Sequence, residues 1–256
     1  MKNYKGYLID LDGTMYRGNE HIEGAAEFVE ALNKQDIPYL FLTNNSTSTQ
    51  ADVASKLNGM GIQTTADHVF TSSMATAKYI KNEKHDAHCM VIGEKGLHDA
   101  LNVEGITVGD EGCDYVIIGL DREITYEKLA KACLAIRSGA VFISTNGDIA
   151  VPTERGFLPG NGAFTSVITV STGVQPIFIG KPEQIIMNEA LDVLGTVKGE
   201  TLMVGDNYQT DILAGINADV DTLMVFTGIT PYEDYPGLIK KPTYHVQNLI
   251  KWIKHI

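Results

Sequence analysis

Positive charge is scarce in this chain of 256 residues: 20 Lys and Arg stand against 32 Asp and Glu, a formal net charge of −12. That deficit argues against a nucleic-acid partner, because such binding rests on Lys and Arg neutralising phosphates. Cysteine is scarce as well. Cys89, Cys113 and Cys133 are odd in number and form no Cys-x-x-Cys pair, so no disulfide framework is implied, which suits a reducing compartment. Cys133 shares a helical face with Leu129 and Ile136, a packing position. No apolar run approaches the roughly 20 residues of a membrane span, and Asp10 and Asp12 interrupt any signal-type pattern near the start. The expectation is a cytoplasmic protein with neither a membrane nor a nucleic-acid partner; a homodimer is compatible with it. Repeats, low-complexity segments and charge runs are also missing. With 44% hydrophobic and 20% charged residues, the composition is that of an ordinary globular chain with ample core.

What is present is organised around Tyr7-Leu8-Ile9-Asp10-Leu11-Asp12-Gly13-Thr14. An apolar run leads straight into two carboxylates two positions apart and then a glycine. It reads as a buried strand ending in a loop, with both acids leaving on one side. Two acids so close repel, so a cation or a shared proton must make the pair tolerable. Helical and strand patterns then alternate. A helix is expected over Glu23 to Lys34, a strand over Pro38 to Thr43, a helix over Gln50 to Met60 and a strand over His68 to Ser72. Further strands are expected at Cys89–Ile92, Tyr115–Gly119, Val141–Ser144, Ile177–Gly180, Thr201–Val204 and Thr222–Phe226. This alternation predicts an α/β fold, a doubly wound parallel sheet with helices on both faces. The turn-rich stretch from Asn146 to Gly162 reads as one long loop, and loops of that length are usually functional or disordered.

Open α/β sheets bind ligands beyond the carboxyl ends of their strands. Those ends carry Asp10 and Asp12, then Thr43 with Asn44, then Lys181, then Asp206 with Asp211. Carboxylates without His or Cys prefer a hard cation, and Mg²⁺ fits because it takes few carboxylates plus phosphate and water. A Thr hydroxyl, an Asn and a Lys are what a phosphate dianion needs. Other clusters read as structural. His85-Asp86-Ala87-His88-Cys89 has no second cluster to complete a metal site. A calcium loop starting at Asp10 would put Met15 and His21 where glycine and glutamate are needed. Pro159-Gly160-Asn161-Gly162 lacks a strand-then-helix setting and a lysine, so a tight turn is expected. The end around Trp252 reads as a packing helix.

These motifs resemble those of the haloacid-dehalogenase-like phosphatases. Asp10-Leu11-Asp12-Gly13-Thr14 matches the first motif, Thr43 the second, Lys181 the third, and Gly205-Asp206-Asn207 with Thr210-Asp211 the fourth. The runs Leu42–Ser46, Ile118–Arg122, Ser144–Asn146 and Phe178–Pro182 are similar to the NagD-like, acid-sugar-phosphatase-like branch. Gly147 stands where that branch usually has proline, and Asp219 where glycine is common. The resemblance implies a Rossmann-like catalytic core, residues 1–74 and 180–256, with an inserted α/β cap, residues 75–179.

It also implies a Mg²⁺-dependent phosphomonoesterase acting on small phosphorylated metabolites: sugar or acid-sugar phosphates, or nucleoside monophosphates. Asp10 would be the nucleophile that becomes an aspartyl-phosphate, and Asp12 the general acid and base. Asp10, the Asp12 backbone carbonyl and Asp206 would hold the ion, with Asp211 either a further ligand or a residue orienting Lys181. Thr43, the Asn44 amide and Lys181 would bind the phosphoryl group. Substrate choice is expected from the cap, with Asn146, Asp148, Glu154 and Arg155 as candidates. An Arg155 or Arg122 that reaches the substrate would favour a second anionic group. Rival readings are a phosphomutase on the same fold and a receiver-type phosphoacceptor domain.

Overall fold

A computed structural model describes residues 2–153 and 155–256. Glu154, one of the cap candidates, lies outside the described residues. Gly6–Ile9 is buried at all four positions, as a strand covered on both faces requires. It pairs in parallel with Thr201–Gly205 on one side and Tyr39–Thr43 on the other, so Leu8 faces both Met203 and Leu40. Asp221–Val225 and Tyr244–Val246 extend the first side and Val69–Thr71 the second, giving a six-stranded sheet. The strand order reverses between Gly6–Ile9 and Thr201–Gly205, and the crevice at such a reversal is where open sheets bind ligands. Asp10 and Asp206 are the first residues beyond those two strands.

This sheet belongs to a compact unit of residues Met1–Thr43, Gln50–Phe70 and Lys181–Ile256. The helix Ala25–Lys34 buries Phe28, Val29 and Leu32 against it, with the Phe28 ring edge-on to Tyr7 at 5.8 Å between centroids. Trp252, on the short helix Ile250–Ile253, is buried in the same core, as its packing role predicts. Each such side chain contributes about 1.5–3 kcal/mol by leaving water. Asp219, which follows the helix Leu213–Asn217, has φ 58. That is the left-handed region where glycine is at ease and which Asp tolerates better than most residues, which accounts for the departure from the branch pattern at this position.

The second unit comprises Asn44–Thr49 and Thr71–Gly180. Its five-stranded sheet is parallel throughout, in the order Ile177–Phe178, Val141–Ser144, Tyr115–Ile118, His88–Ile92, Thr107–Val108. Ile92, Val116, Ile118 and Phe142 from this sheet pack on Cys133 and Ile136, with Leu129 alongside, so Cys133 is a core residue as its helical face predicts. Asn44–Thr49 group with this unit because Ser73 Oγ donates to the Ser46 carbonyl (3.0 Å), the Leu120 N–H to Ser46 Oγ (3.1 Å) and the Gly96 N–H to the Thr47 carbonyl (3.0 Å).

The stretch Asn146–Gly162 is not the single loop its turn residues suggested. Ala150–Thr153 and Gly156–Pro159 pair as an antiparallel hairpin, and Gly160 caps a helix, Asn161–Thr172. Pro152 is tolerated because a two-stranded ribbon leaves half its backbone donors unpaired, and Gly156 closes the turn at φ 106. Pro159-Gly160-Asn161-Gly162 is therefore a strand-to-helix junction, not a tight turn. Among the described residues no helix is long and apolar enough to cross a membrane.

Candidate active site

In the first unit, four ionisable side chains are almost fully removed from water: Asp10 (8% exposed), Lys181 (3%), Asp206 (0%) and Asp211 (1%). Asp10 is placed by the end of the central strand and Asp206 by the end of its neighbour. Lys181 precedes the helix Gln184–Leu194, and Asp211 lies on a single π-helical turn, Tyr208–Ile212, a feature frequent at functional sites. Carboxylate oxygens of Asp10, Asp206 and Asp211 all lie within 4.8 Å of one another.

Lys181 is the one ammonium among them. Its Nζ donates to Asp10 Oδ1, to Asp211 Oδ1 at 2.7 Å and to the Leu42 carbonyl at 3.0 Å. Both oxygens of Asp211 are engaged, because Oδ2 accepts the Asn207 N–H at 3.0 Å. Asp206 is held differently, Oδ1 accepting from the Thr14 hydroxyl (3.1 Å) and Oδ2 from the Ile229 N–H (2.7 Å). Gly13 and Gly228 press against this carboxylate so closely that a Cβ on either would overlap it. Gly13 has φ +95 as well, which suits glycine alone.

Three carboxylates sharing one lysine leave a surplus of negative charge in a dry site, and the titration of the groups reflects it. Burial, then the charge of Asp211, raises the Asp10 carboxyl well above its ordinary range, with Lys181 pulling the other way. Burial and Asp211 push Asp206 up to about 7, against the bonds from Ile229 and Thr14. Burial alone would lower Lys181, but the charges of Asp10 and Asp211 outweigh it and raise it, so it stays an ammonium. An all-oxygen donor set with excess negative charge fits a hard divalent cation and offers nothing to a soft one.

Asp12 stands apart. Its residue is exposed and its carboxylate is not one of the three clustered groups. The protein still partly desolvates that carboxyl and raises it, while Lys56 and Arg17 oppose the shift. Any ligation by Asp12 would fall to its backbone carbonyl. Thr43 closes its strand half-buried.

In the second unit, Asn44, Asn146 and Asp148 come together. Asn44 Nδ2 donates to both Asp148 oxygens (3.1 and 3.3 Å), and Asn146 Nδ2 donates to the Asn44 carbonyl (2.9 Å). Arg155 is not drawn into that group; it is exposed at the hairpin turn, where its N–H donates to Thr153 Oγ1. Arg122 is paired with Glu94 at 2.7 Å. His88 and Cys89 form no metal cluster among the described residues; Cys89 is buried in its strand.

Three contributors went unrecognised from sequence. The Thr14 hydroxyl lay inside the first motif without a role. The Ile229 amide is backbone and leaves no residue signal, although it lies just past the strand expected over Thr222–Phe226. Asn161, buried at the head of its helix, donates through Nδ2 to the Asn146 carbonyl at 2.8 Å.

Two family models match the chain, one described as haloacid dehalogenase-like hydrolase over residues 7–107 and one as HAD-hydrolase-like over residues 178–252. The chain is 60% identical to a protein named 5'-nucleotidase YutF of Bacillus subtilis, across all of both chains. It is 56% identical to one named acid sugar phosphatase of Staphylococcus saprophyticus, covering 100% of this chain and 99% of the other. Among solved structures, a thermostable NPPase from Geobacillus stearothermophilus is 57% identical, with a TM-score of 0.93 over 98% of this chain and 99% of that one. A p-nitrophenyl phosphatase from Archaeoglobus fulgidus is 31% identical, with a TM-score of 0.93 over all of both chains.

Proposed function

Because the chain belongs to the haloacid dehalogenase-like hydrolase family, we propose that it hydrolyses small phosphomonoesters through a phosphorylated Asp10. The substrates are sugar or acid-sugar phosphates and nucleoside monophosphates, in keeping with the names its relatives carry. The observation that carries this reading is the cluster of three buried carboxylates around one lysine.

A carboxylate oxygen of Asp10 attacks phosphorus as the bond from phosphorus to the leaving oxygen breaks. Asp12 gives its proton to that oxygen, and the upward shift of its carboxyl favours the protonated form this requires. Asp12 then takes a proton from the water that attacks the phosphoryl group, and the bond from phosphorus to Asp10 breaks, restoring both carboxyls. Thr43 and the Asn44 backbone amide donate to the oxygens of the transferring group. Lys181 balances charge on the nucleophile and the phosphoryl oxygens, and Asp211 aims it. Mg²⁺ held by Asp10, Asp206 and the Asp12 carbonyl would supply positive charge against the surplus carboxylate and the phosphate oxygens. Choice among substrates is assigned to the second unit, with Arg155 a candidate for a substrate's second anionic group.

The deciding experiment is a phosphometabolite panel assayed for phosphate release with and without Mg²⁺. Release of phosphate only when the ion is present is expected. Transfer between substrates without net release would point to a phosphomutase, and an aspartyl-phosphate that persists without turnover to a receiver-type domain.

A further inference from the structure

Asn44 is held at more points than a loop residue ordinarily is. Its carbonyl accepts from Ser72 Oγ at 2.8 Å and from Asn146 Nδ2 at 2.9 Å, while its side-chain amide donates to both oxygens of Asp148. The holders are themselves fixed. The Asp148 N–H donates to Asn146 Oδ1 at 3.2 Å, and Asn161 Nδ2 donates to the Asn146 carbonyl and to Ser144 Oγ (3.0 Å). Ser144 Oγ in turn bonds Thr165 Oγ1 at 2.9 Å, and all of Ser144, Asn146, Asn161 and Thr165 are buried. Space is equally restricted, because a Cβ on Gly180 would overlap Asn44 Oδ1 and one on Gly162 would overlap the Gly147 carbonyl.

Asp148 and Asn146 were expected to contact the substrate. We propose instead that Asp148, with Asn146, is a positioning residue that clamps Asn44 and so fixes the direction of the peptide that follows Thr43. The proposal rests on the reading of the Asn44 backbone amide as a phosphoryl donor. A bond to a carboxylate is roughly twice as strong as one between neutral groups, and two oxygens holding one NH₂ group resist rotation of the Asn44 side chain. Carbonyl and side chain are held from different directions, which leaves the Asn44 peptide little freedom to turn. A donor displaced by about 1 Å costs on the order of a hundredfold in rate, so the clamp acts on kcat and is indifferent to the leaving group.

The test is steady-state kinetics of the full chain with Mg²⁺ on p-nitrophenyl phosphate, a hexose phosphate and a nucleoside 5'-monophosphate. Asp148→Ala should lower kcat by about 10- to 100-fold, by the same factor on all three substrates and with little change in KM. Asp148→Asn keeps an acceptor oxygen and should recover most of that loss. Asn44→Ala combined with Asp148→Ala should be no slower than Asn44→Ala alone. A loss that differs between substrates, falls mainly on KM, or adds to that of Asn44→Ala would overturn the clamp while leaving the phosphatase reading intact. If Asp148→Ala loses its cooperative melt, the uniformity of the smaller loss in Asp148→Asn decides the matter. A wild-type chain that releases phosphate from none of the three would overturn the underlying reading and the clamp with it.

Discussion

The two units are built alike and are polar in different ways. Each is a parallel sheet flanked by helices, with buried polar side chains just past the strands. In the first unit those side chains are charged: Asp10, Asp206 and Asp211 around Lys181. In the second they are mostly neutral: Ser144, Thr145, Asn146, Asn161 and Thr165. The buried carboxylate there, Asp121, has its own ammonium, Lys128 at 2.7 Å, and accepts the Glu123 N–H at 2.9 Å. A neutral network fixes shape at little electrostatic cost. A charge surplus is tolerable only where a retained proton or an arriving cation neutralises it. The same architecture thus buries charge in one unit and mostly neutral polar groups in the other.

The largest expected effect breaks the charged cluster at its centre. Asp10→Asn should fold, bind Mg²⁺ more weakly and lose at least about 10⁴-fold in turnover, read as phosphate release. Substantial residual activity would rule out the phosphorylated Asp10. Next comes removal of the cation. Asp206 keeps a proton up to about pH 7 in the native chain but releases it near about 4 when unfolded. The native state therefore holds the extra proton between those values, and stability falls as pH rises across that window. With a chelator present, the melting temperature should drop between pH 5 and pH 8, and Mg²⁺ should restore it; a flat profile would contradict the charge surplus.

Asp121→Asn sharpens the other side of the comparison. It removes one charge from a satisfied pair and should cost about 1–2 kcal/mol of stability by chemical denaturation, with kcat within about twofold. The smallest effect is expected at Phe157, 79% exposed on the hairpin. Phe157→Ser should change stability by less than about 0.5 kcal/mol.

Which of these features the sequence disclosed follows from how each is built. Asp10, Asp206 and Lys181 follow apolar runs directly, so reading strand ends in order finds them without knowing the fold. Asp211 sits six residues beyond its strand, five after Asp206, and was read together with that neighbour. The hairpin was hidden because Ala150-Val151-Pro152-Thr153 carries a proline and no strong alternation, and its hydrogen bonds are made only to Gly156–Pro159. The Ile229 amide could not be read from a side chain at all. Asn161 looked like part of a turn, since its neighbours are two glycines; its role depends on partners fifteen and seventeen residues away. Asn146 and Asp148 were singled out for contact with substrate, and their pairing with Asn44, more than a hundred residues away, leaves no local pattern that a sequence reading could find.

Gly13 and Gly228 do no chemistry, yet they leave the Asp206 carboxylate no room to swing. A flexible ligand would have to be desolvated and aligned afresh in every catalytic cycle. On the proposed reading of Asp206 as a ligand, that alignment is completed once, when the chain folds. The placing of that carboxylate is therefore partly a property of two side chains the chain does not have.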